Sequence, residues 1–128
     1  MLPITSFYAA LIALIFVLLS ARVILYRRKN RLSLGDEGDR SLLKRMRAQA
    51  NCAEYAPFGI LMVALVELAG TPGVIVHILG LMLFAGRLIH GYGFSASPPI
   101  MRFRVLGMVL TLLSLIVSAF ALILISIF

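Results

Sequence analysis

The sequence predicts an all-α integral membrane protein, a single bundle of four transmembrane helices that spans residues 1–128. Three observations predict this fold class. The composition is 62% hydrophobic and only 13% charged, whereas soluble domains typically carry about 25% charged residues. Polar or turn-forming segments divide the chain into four largely apolar runs, each near the length that crosses a hydrocarbon core of about 30 Å. The basic residues gather beside two of the three predicted loops.

The first helix is predicted over about residues 4–26, where the apolar run has the length of a membrane span. No basic segment precedes it and no small-residue cleavage site follows it, so we interpret it as a retained helix and not as a signal peptide. The segment from Asn30 to about Ser41 is rich in glycine and acidic residues, which is typical of a solvated loop.

Three further helices are predicted over about residues 41–68, 74–94 and 103–128. The sequence AGTPG at residues 69–73 predicts a tight turn between the second and third helices. The sequence SASPP at residues 95–99 ends the third helix, and the fourth is apolar throughout after Arg104.

The distribution of charge predicts an orientation in the membrane. All 12 Lys and Arg residues lie at or near the first loop, the third loop and the adjoining parts of the helices, and the second loop has none. The positive-inside rule then places both basic loops in the cytoplasm and both termini on the non-cytoplasmic side. The net charge of +7 lies between apolar runs, so we expect anionic lipid headgroups or an anionic small molecule as partners, and no nucleic acid.

The apolar pattern is interrupted within the second and third helices. The apolar run from Val74 to Gly86 is only about 20 Å long at 1.5 Å per residue, so the third helix must continue past Arg87 and His90. In the second helix, residues 47, 51 and 54 fall within about 60° of one another on one face.

Ionisable groups at membrane depth usually face a bundle interior or a wet cavity. The polar residues of the two helices therefore predict a shared site near the cytoplasmic side. The alternative interpretation is structural: Arg47 extends to the headgroups, and Glu54 pairs with Arg87 between helices. No Cys/His cluster has metal-ligand spacing, so no metal site is predicted.

The sequence RAQANCAEYAP at residues 47–57 resembles the second-helix signature of the MAPEG family, the membrane-associated proteins of eicosanoid and glutathione metabolism. The resemblance extends to Arg87, His90 and Phe94 in the third helix, and to the sequence RVLG from Arg104 at the start of the fourth. It covers essentially the whole chain and implies a homotrimer of four-helix subunits that binds glutathione between neighbouring subunits. It further implies a membrane-bound glutathione transferase or peroxidase of detoxification, which takes lipophilic electrophiles from the bilayer.

The resemblance also implies residue roles. Glutathione would contact Arg47, Asn51, Glu54, Tyr55, Arg87 and His90. Arg104 would stabilise the glutathione thiolate, with Arg102 as the alternate because the preceding loop has no fixed spacing. We favour Arg104, since the apolar helix follows it directly. The sequence departs from the family at Phe94, where eicosanoid-type members carry a tyrosine, and at Ala50 and Lys44, where some members carry arginine.

Two other functions remain open at this point. The chain could be a member of the same fold that binds a ligand or partner without catalysis, which the phenylalanine at position 94 favours. It could also be a small multidrug-type exporter, but such exporters carry a membrane-embedded carboxylate in the first helix and this one has none. The compact loops and the lack of a retrieval signal favour a bacterial inner membrane over an endoplasmic reticulum.

Overall fold

A computed structural model describes all residues, 1–128, and confirms the predicted fold class. Its four helices are α1 (Pro3–Asn30), α2 (Arg40–Leu68), α3 (Gly73–Ser95) and α4 (Met101–Ile127), and it has no strand. Each helix is long and apolar enough to cross a membrane. Large apolar side chains are exposed along all four helices, as expected where lipid surrounds the bundle. The chain is therefore an integral membrane protein.

α1 continues four residues beyond its predicted end near Tyr26. Its last turn holds Arg27, Arg28 and Lys29, and cations at a helix C-terminus interact favourably with the helix dipole. The loss of hydrophobicity after Tyr26 therefore marks the edge of the apolar run and not the end of the helix. The helix ends at Arg31, which adopts a left-handed conformation with φ of 56°.

The prediction that the third helix continues past its short apolar run is confirmed. α3 extends through Arg87 and His90 to Ser95, which makes it 23 residues long. At 1.5 Å per residue this is about 35 Å, enough to cross the hydrocarbon core. The side chains of Arg87 and His90 therefore belong to a membrane-spanning helix, and both are buried inside the bundle.

The helices pack in an uneven ring. α3 packs most extensively against α4, both α2 and α3 contact each of the other three helices, and the backbones of α1 and α4 do not approach within 8 Å of each other. We call the end of the bundle that holds residues 31–39 and 96–100 the basic end, because the loops and helix ends there carry most of the Lys and Arg residues.

Glycine allows α3 and α4 to approach backbone to backbone. A Cβ atom added to Gly107 would lie 2.5 Å from the backbone nitrogen of His90 and 2.6 Å from the carbonyl oxygen of Gly86. Real Cβ atoms do not come this close, so a side chain at Gly107 would force the helices apart. A second link follows two turns further from the basic end, where the Ser114 hydroxyl donates to the carbonyl of Leu79 over 2.9 Å. This close contact fixes the α4 side chains that face α3.

The two ends of α2 are tied to α1 by carboxylates. At the basic end, Asp39 caps α2 by accepting from the backbone N–H groups of Ser41 and Leu42, and it also accepts from the Tyr26 hydroxyl. At the opposite end, Glu67 accepts from the backbone N–H groups of Ile4 and Thr5, over 3.1 and 2.8 Å. α1 has no capping side chain of its own, so Glu67 satisfies donors that the first turn leaves unpaired.

Candidate functional site

The centre of the candidate site is a buried arginine on α3. The Arg87 side chain is 1% exposed and donates to residues of two other helices. Its Nε and Nη2 donate to the Thr111 hydroxyl on α4 over 3.0 and 2.7 Å, and Nη1 donates to Oδ1 of Asn51 on α2 over 2.7 Å. Nη2 also lies 3.3 Å from the sulfur of Met108. Hydrogen-bonded burial of this kind is how a charge is accommodated at membrane depth.

The structural alternative, in which Glu54 pairs with Arg87 between helices, differs from the observed contacts. Arg87 bonds Asn51 and Thr111, and Glu54 is not among its partners. The two polar faces of α2 and α3 do converge, but through an amide and not through a carboxylate. The amide orientation also follows, because a guanidinium has only donors and the amide oxygen must face it. The Nδ2 group of Asn51 is therefore the part left to donate to a ligand.

We call Arg47, Asn51 and Glu54, which share one face of the second helix, the α2 stripe. Its two outer members lie at the surface of the chain. Arg47 and Glu54 are exposed, and Asn51 between them is half-buried. The side of α2 that packs into the bundle is instead made of small and apolar residues, among them Ala48, Cys52 and Ala56. Ala48, the first of these residues, follows Arg47 directly and is therefore about 100° further round the helix. The α2 stripe thus lies at the edge of the face that packs into the bundle. Arg47 and Glu54 are thus not brought against Arg87 or His90.

Tyr55 lies between the surface stripe and the buried arginine. Its ring is half-buried, and the Arg87 guanidinium carbon lies 5.6 Å from the ring centroid. This distance is within the range of a cation–π contact. The tyrosine therefore shares with Asn51 a position next to Arg87.

A second cluster lies towards the basic end, where α3 meets the start of α4. The guanidinium carbon of Arg104 lies 4.0 Å above the centroid of the Phe94 ring, and that ring is 5.6 Å from the ring of His90. His90 is 4% exposed. The Nε of Arg104 is buried and has no hydrogen-bond partner. Arg102, the alternate, is exposed. A buried, unpaired donor on a permanent cation is suited to hold an anion.

Thr111 and Met108 are the site residues that the sequence reasoning missed. The signal was present in α4, where Thr111, Ser114 and Ser118 are isolated hydroxyl residues at helical spacing in an apolar run. All three are buried, and Thr111 and Ser114 contact α3. Hydroxyl side chains in a membrane helix commonly bond a neighbouring helix, so this spacing indicates which face of α4 packs inward. The structure holds no group of three or more His, Cys, Asp or Glu residues able to bind a metal ion.

Comparison with known proteins adds to this geometry. Residues 5–124 match the model of the MAPEG family. The chain is 35% identical over 118 residues to Inner membrane protein YecN of Escherichia coli strain K12, an alignment that covers 92% of this chain and 88% of the relative. The YecN protein of Escherichia coli O6:H1 strain CFT073 matches with the same identity and coverage. The matched residues include α2 and α3 whole, nearly all of α1 and α4, and the residues around Arg87 and Arg104 described above.

Proposed function

This chain belongs to the MAPEG family, and from that premise we propose that it is a glutathione-dependent transferase or peroxidase of a bacterial inner membrane. Its second substrate is a lipophilic electrophile that arrives from the bilayer. The inner membrane location rests on the four membrane-spanning helices and on the name of the relatives. The observation that carries the activity is the buried, unpaired Nε of Arg104 beside His90 and Phe94.

The α2 stripe offers groups that suit glutathione. Glutathione carries two carboxylates, one ammonium group and two peptide bonds. The exposed Arg47 suits a carboxylate as a bidentate donor, and the exposed Glu54 suits the ammonium group. The two residues are seven apart, or about 10 Å along the helix axis, and Asn51 lies between them with its Nδ2 directed away from Arg87. A charged, extended tripeptide can therefore lie along this face.

We propose roles for Arg87 and His90 other than the direct contact with glutathione that the family resemblance implies. Both are buried, and the Arg87 donors already have partners on α2 and α4. In the proposal Arg87 does not contact the ligand but orients Asn51 and packs near Tyr55. His90 is placed under the thiol end of the site, next to Phe94.

Arg104 supplies the chemistry. A thiol reacts as its thiolate, and a neighbouring cation lowers the thiol pKa from a free value of about 8.5. Arginine stays protonated and so stabilises the anion without acting as a base. In the transferase reaction the thiolate sulfur attacks the electrophilic carbon, a C–S bond forms, and the leaving group departs with the electrons of its own bond to carbon.

The exposed position of Arg47 and Glu54 supports the homotrimer as part of the proposal. Two opposite charges at membrane depth on a chain surface are costly when they face lipid. A neighbouring subunit that packs on this face would enclose them, and the glutathione site would then lie between subunits.

Glutathione titration of the purified protein tests the proposal. We expect wild type to develop the ultraviolet absorbance of a thiolate and to turn over activated aryl halides or lipid hydroperoxides. Arg104→Ala should retain glutathione binding and lose the thiolate signal, whereas Arg102→Ala, the matched control, should keep it. A thiolate signal that survives in Arg104→Ala, or that disappears only in Arg102→Ala, contradicts the assignment.

A second candidate function is glutathione binding without catalysis. It is favoured by Phe94, because the Arg104 guanidinium stacks on a ring that has no hydroxyl to offer a ligand. Binding without a thiolate signal and without turnover in wild type would identify this function.

A further inference from the structure

A polar cleft opens at the basic end of the bundle, on the side of α2 that faces away from the α2 stripe. This cleft lies between the end of α1 and the start of α2 and has a volume of about 530 Å³. Its lining residues are Arg22, Leu25, Tyr26, Lys29, Asn30 and Arg45. On α2, Arg45 is two residues before Arg47, which places their side chains about 200° apart. The two side chains therefore point to nearly opposite sides of α2.

The cleft is basic and has no acidic lining residue. Arg22, Lys29 and Arg45 bring three cations to it. The guanidinium of Arg45 is held in place by the Tyr26 ring, 4.2 Å from the ring centroid, and by the Ser41 carbonyl, 2.9 Å away. Arginines held in this way keep free N–H groups in a fixed orientation, which suits the oxygens of a phosphate.

The nearest carboxylate to the cleft is already engaged. Asp39 accepts from the Tyr26 hydroxyl over 2.9 Å and from the backbone N–H groups of Ser41 and Leu42 over 2.8 and 3.0 Å. These bonds hold the carboxylate at the start of α2, where its charge also interacts with Arg45, so that Arg22 and Lys29 are the cleft cations it leaves unbalanced. An anion that enters the cleft therefore meets an excess of positive charge.

An apolar groove continues from the same arginine towards the middle of the membrane. This second cavity, of about 150 Å³, lies between α1 and α3 and has Arg22 and Ser95 at one end. Its apolar lining includes Ile15, Leu18, Leu19, Leu88 and Tyr92. Ile15 is seven residues, or about 10 Å, further into the membrane than Arg22. Tyr92 is exposed, as is common for tyrosine at a membrane interface.

We propose that the cleft and the groove together bind one anionic phospholipid. The phosphate lies between Arg22 and Arg45 within reach of Lys29, and one acyl chain follows the groove between α1 and α3. The cleft and the groove share Arg22 as a lining residue. A free phosphate ester would occupy the cleft but has no apolar chain to place in the groove, so the two adjoining cavities favour a lipid. Basic pockets between membrane helices are known to select anionic headgroups. The site is independent of the proposed glutathione chemistry.

Native mass spectrometry of the purified full chain tests the proposal, with phosphatidylglycerol, phosphatidylcholine of the same acyl chains, and glycerol phosphate as probes. We expect wild type to retain phosphatidylglycerol in preference to phosphatidylcholine and to show no measurable retention of glycerol phosphate. Equal retention of the two lipids overturns the proposal. So does glycerol phosphate that binds as tightly as the lipid, because the groove would then contribute nothing.

Matched charge variants locate the site. Lys29→Gln and Arg28→Gln each remove one exposed cation from the end of α1, but only Lys29 lines the cleft. We expect Lys29→Gln to weaken phosphatidylglycerol retention about fivefold and Arg28→Gln to leave it nearly unchanged. The double variant Arg22→Gln/Arg45→Gln should lose retention further than the control Arg28→Gln/Arg40→Gln. Equal losses in the paired variants would show a diffuse surface charge and overturn the site.

Glutathione titration of the same variants separates this proposal from the proposed function. Lys29→Gln should titrate with glutathione as wild type does, because Lys29 lies on α1 in the cleft and not on the α2 stripe. A loss of glutathione binding in Lys29→Gln that accompanies the loss of lipid would mean that the cleft serves glutathione and would overturn the lipid assignment.

Discussion

The Nη1 group of Arg87 donates to the Oδ1 atom of Asn51 over 2.7 Å, and this bond joins the buried arginine of α3 to the surface stripe of α2. The same guanidinium bonds Thr111 on α4. One side chain therefore fixes three helices relative to one another at the depth of the candidate site. The orientation of Asn51, and with it the donor that a ligand would meet, depends on this arrangement.

Substitution of Thr111 tests the arrangement. Thr111→Val keeps the shape of the side chain but removes the oxygen that accepts two N–H groups of Arg87, so buried donors are left unpaired. We expect the free energy of unfolding to fall by about 1–3 kcal/mol. Thr111→Ser, which keeps the hydroxyl, is the matched control and should lose less. Denaturant unfolding in detergent measures both, and equal losses would mean that packing and not the hydrogen bonds stabilises this position.

Substitution of Phe94 tests the role of the missing hydroxyl. Phe94→Tyr adds a hydroxyl group to the ring beneath the Arg104 guanidinium, where it becomes available to the thiol end of a ligand. We expect glutathione to bind up to about tenfold more tightly, the gain of one ordinary hydrogen bond of about 0.5–1.5 kcal/mol. Phe103→Tyr, on an exposed ring that packs near Tyr92, is the control. Calorimetric titration that shows no gain, or the same gain in both variants, would remove Phe94 from the site.

The sequence predicted the fold from simple physical limits. The apolar run of α3 is too short to cross a bilayer, and this alone required the helix to continue through Arg87 and His90, as it does. Hydrophobicity was a poorer guide to helix ends. α1 continues through its basic residues because a solvated helix end tolerates and even favours cations, which no hydropathy pattern shows.

The site was predicted less completely. Helical spacing shows which residues share one face of a helix, but it does not show which neighbouring residues that face contacts. Arg47, Asn51 and Glu54 do share a face, yet only Asn51 meets α3, since the packing side of α2 lies one residue round the helix. The position of Thr111 depends on the close approach of Gly86 and Gly107, a tertiary contact beyond the reach of a single sequence. The preference for Arg104 over Arg102 stays a prediction, although only Arg104 lies against Phe94.

The Glu67 carboxylate provides a third prediction, on the coupling of α1 to α2. Glu67→Ala removes the acceptor for the backbone N–H groups of Ile4 and Thr5 and should lower the free energy of unfolding by about 0.5–2 kcal/mol, as the loss of a helix cap does. Amide hydrogen exchange should accelerate at Ile4 and Thr5 in particular. Glu37→Ala, in the exposed first loop, serves as the control. Unchanged exchange in the first turn of α1 would show that water replaces this cap without loss.

Asp39 provides the last prediction, a dependence of stability on pH. The backbone N–H of Leu42 is the largest cause that lowers the pKa of the Asp39 carboxyl, and the Tyr26 hydroxyl, the N–H of Ser41 and the charge of Arg45 lower it further. Its pKa in the folded chain is thus below the unfolded value of about 3.9. The ionised form therefore stabilises the fold above about pH 4, and this contribution is lost as the pH falls through the folded pKa.

Asp39→Asn isolates this contribution, because asparagine keeps an oxygen that caps α2 but does not titrate. We expect wild type to be more stable than Asp39→Asn from neutral pH down to about pH 5, and the difference to close as the pH falls below about 4. Thermal unfolding in detergent across this range measures it. Asp36→Asn is the control in the same loop, since Asp36 makes one long hydrogen bond of 3.4 Å to Gly38 and none to another helix. A difference between wild type and Asp39→Asn that stays constant to pH 3 would mean that the carboxylate charge does not stabilise the start of α2.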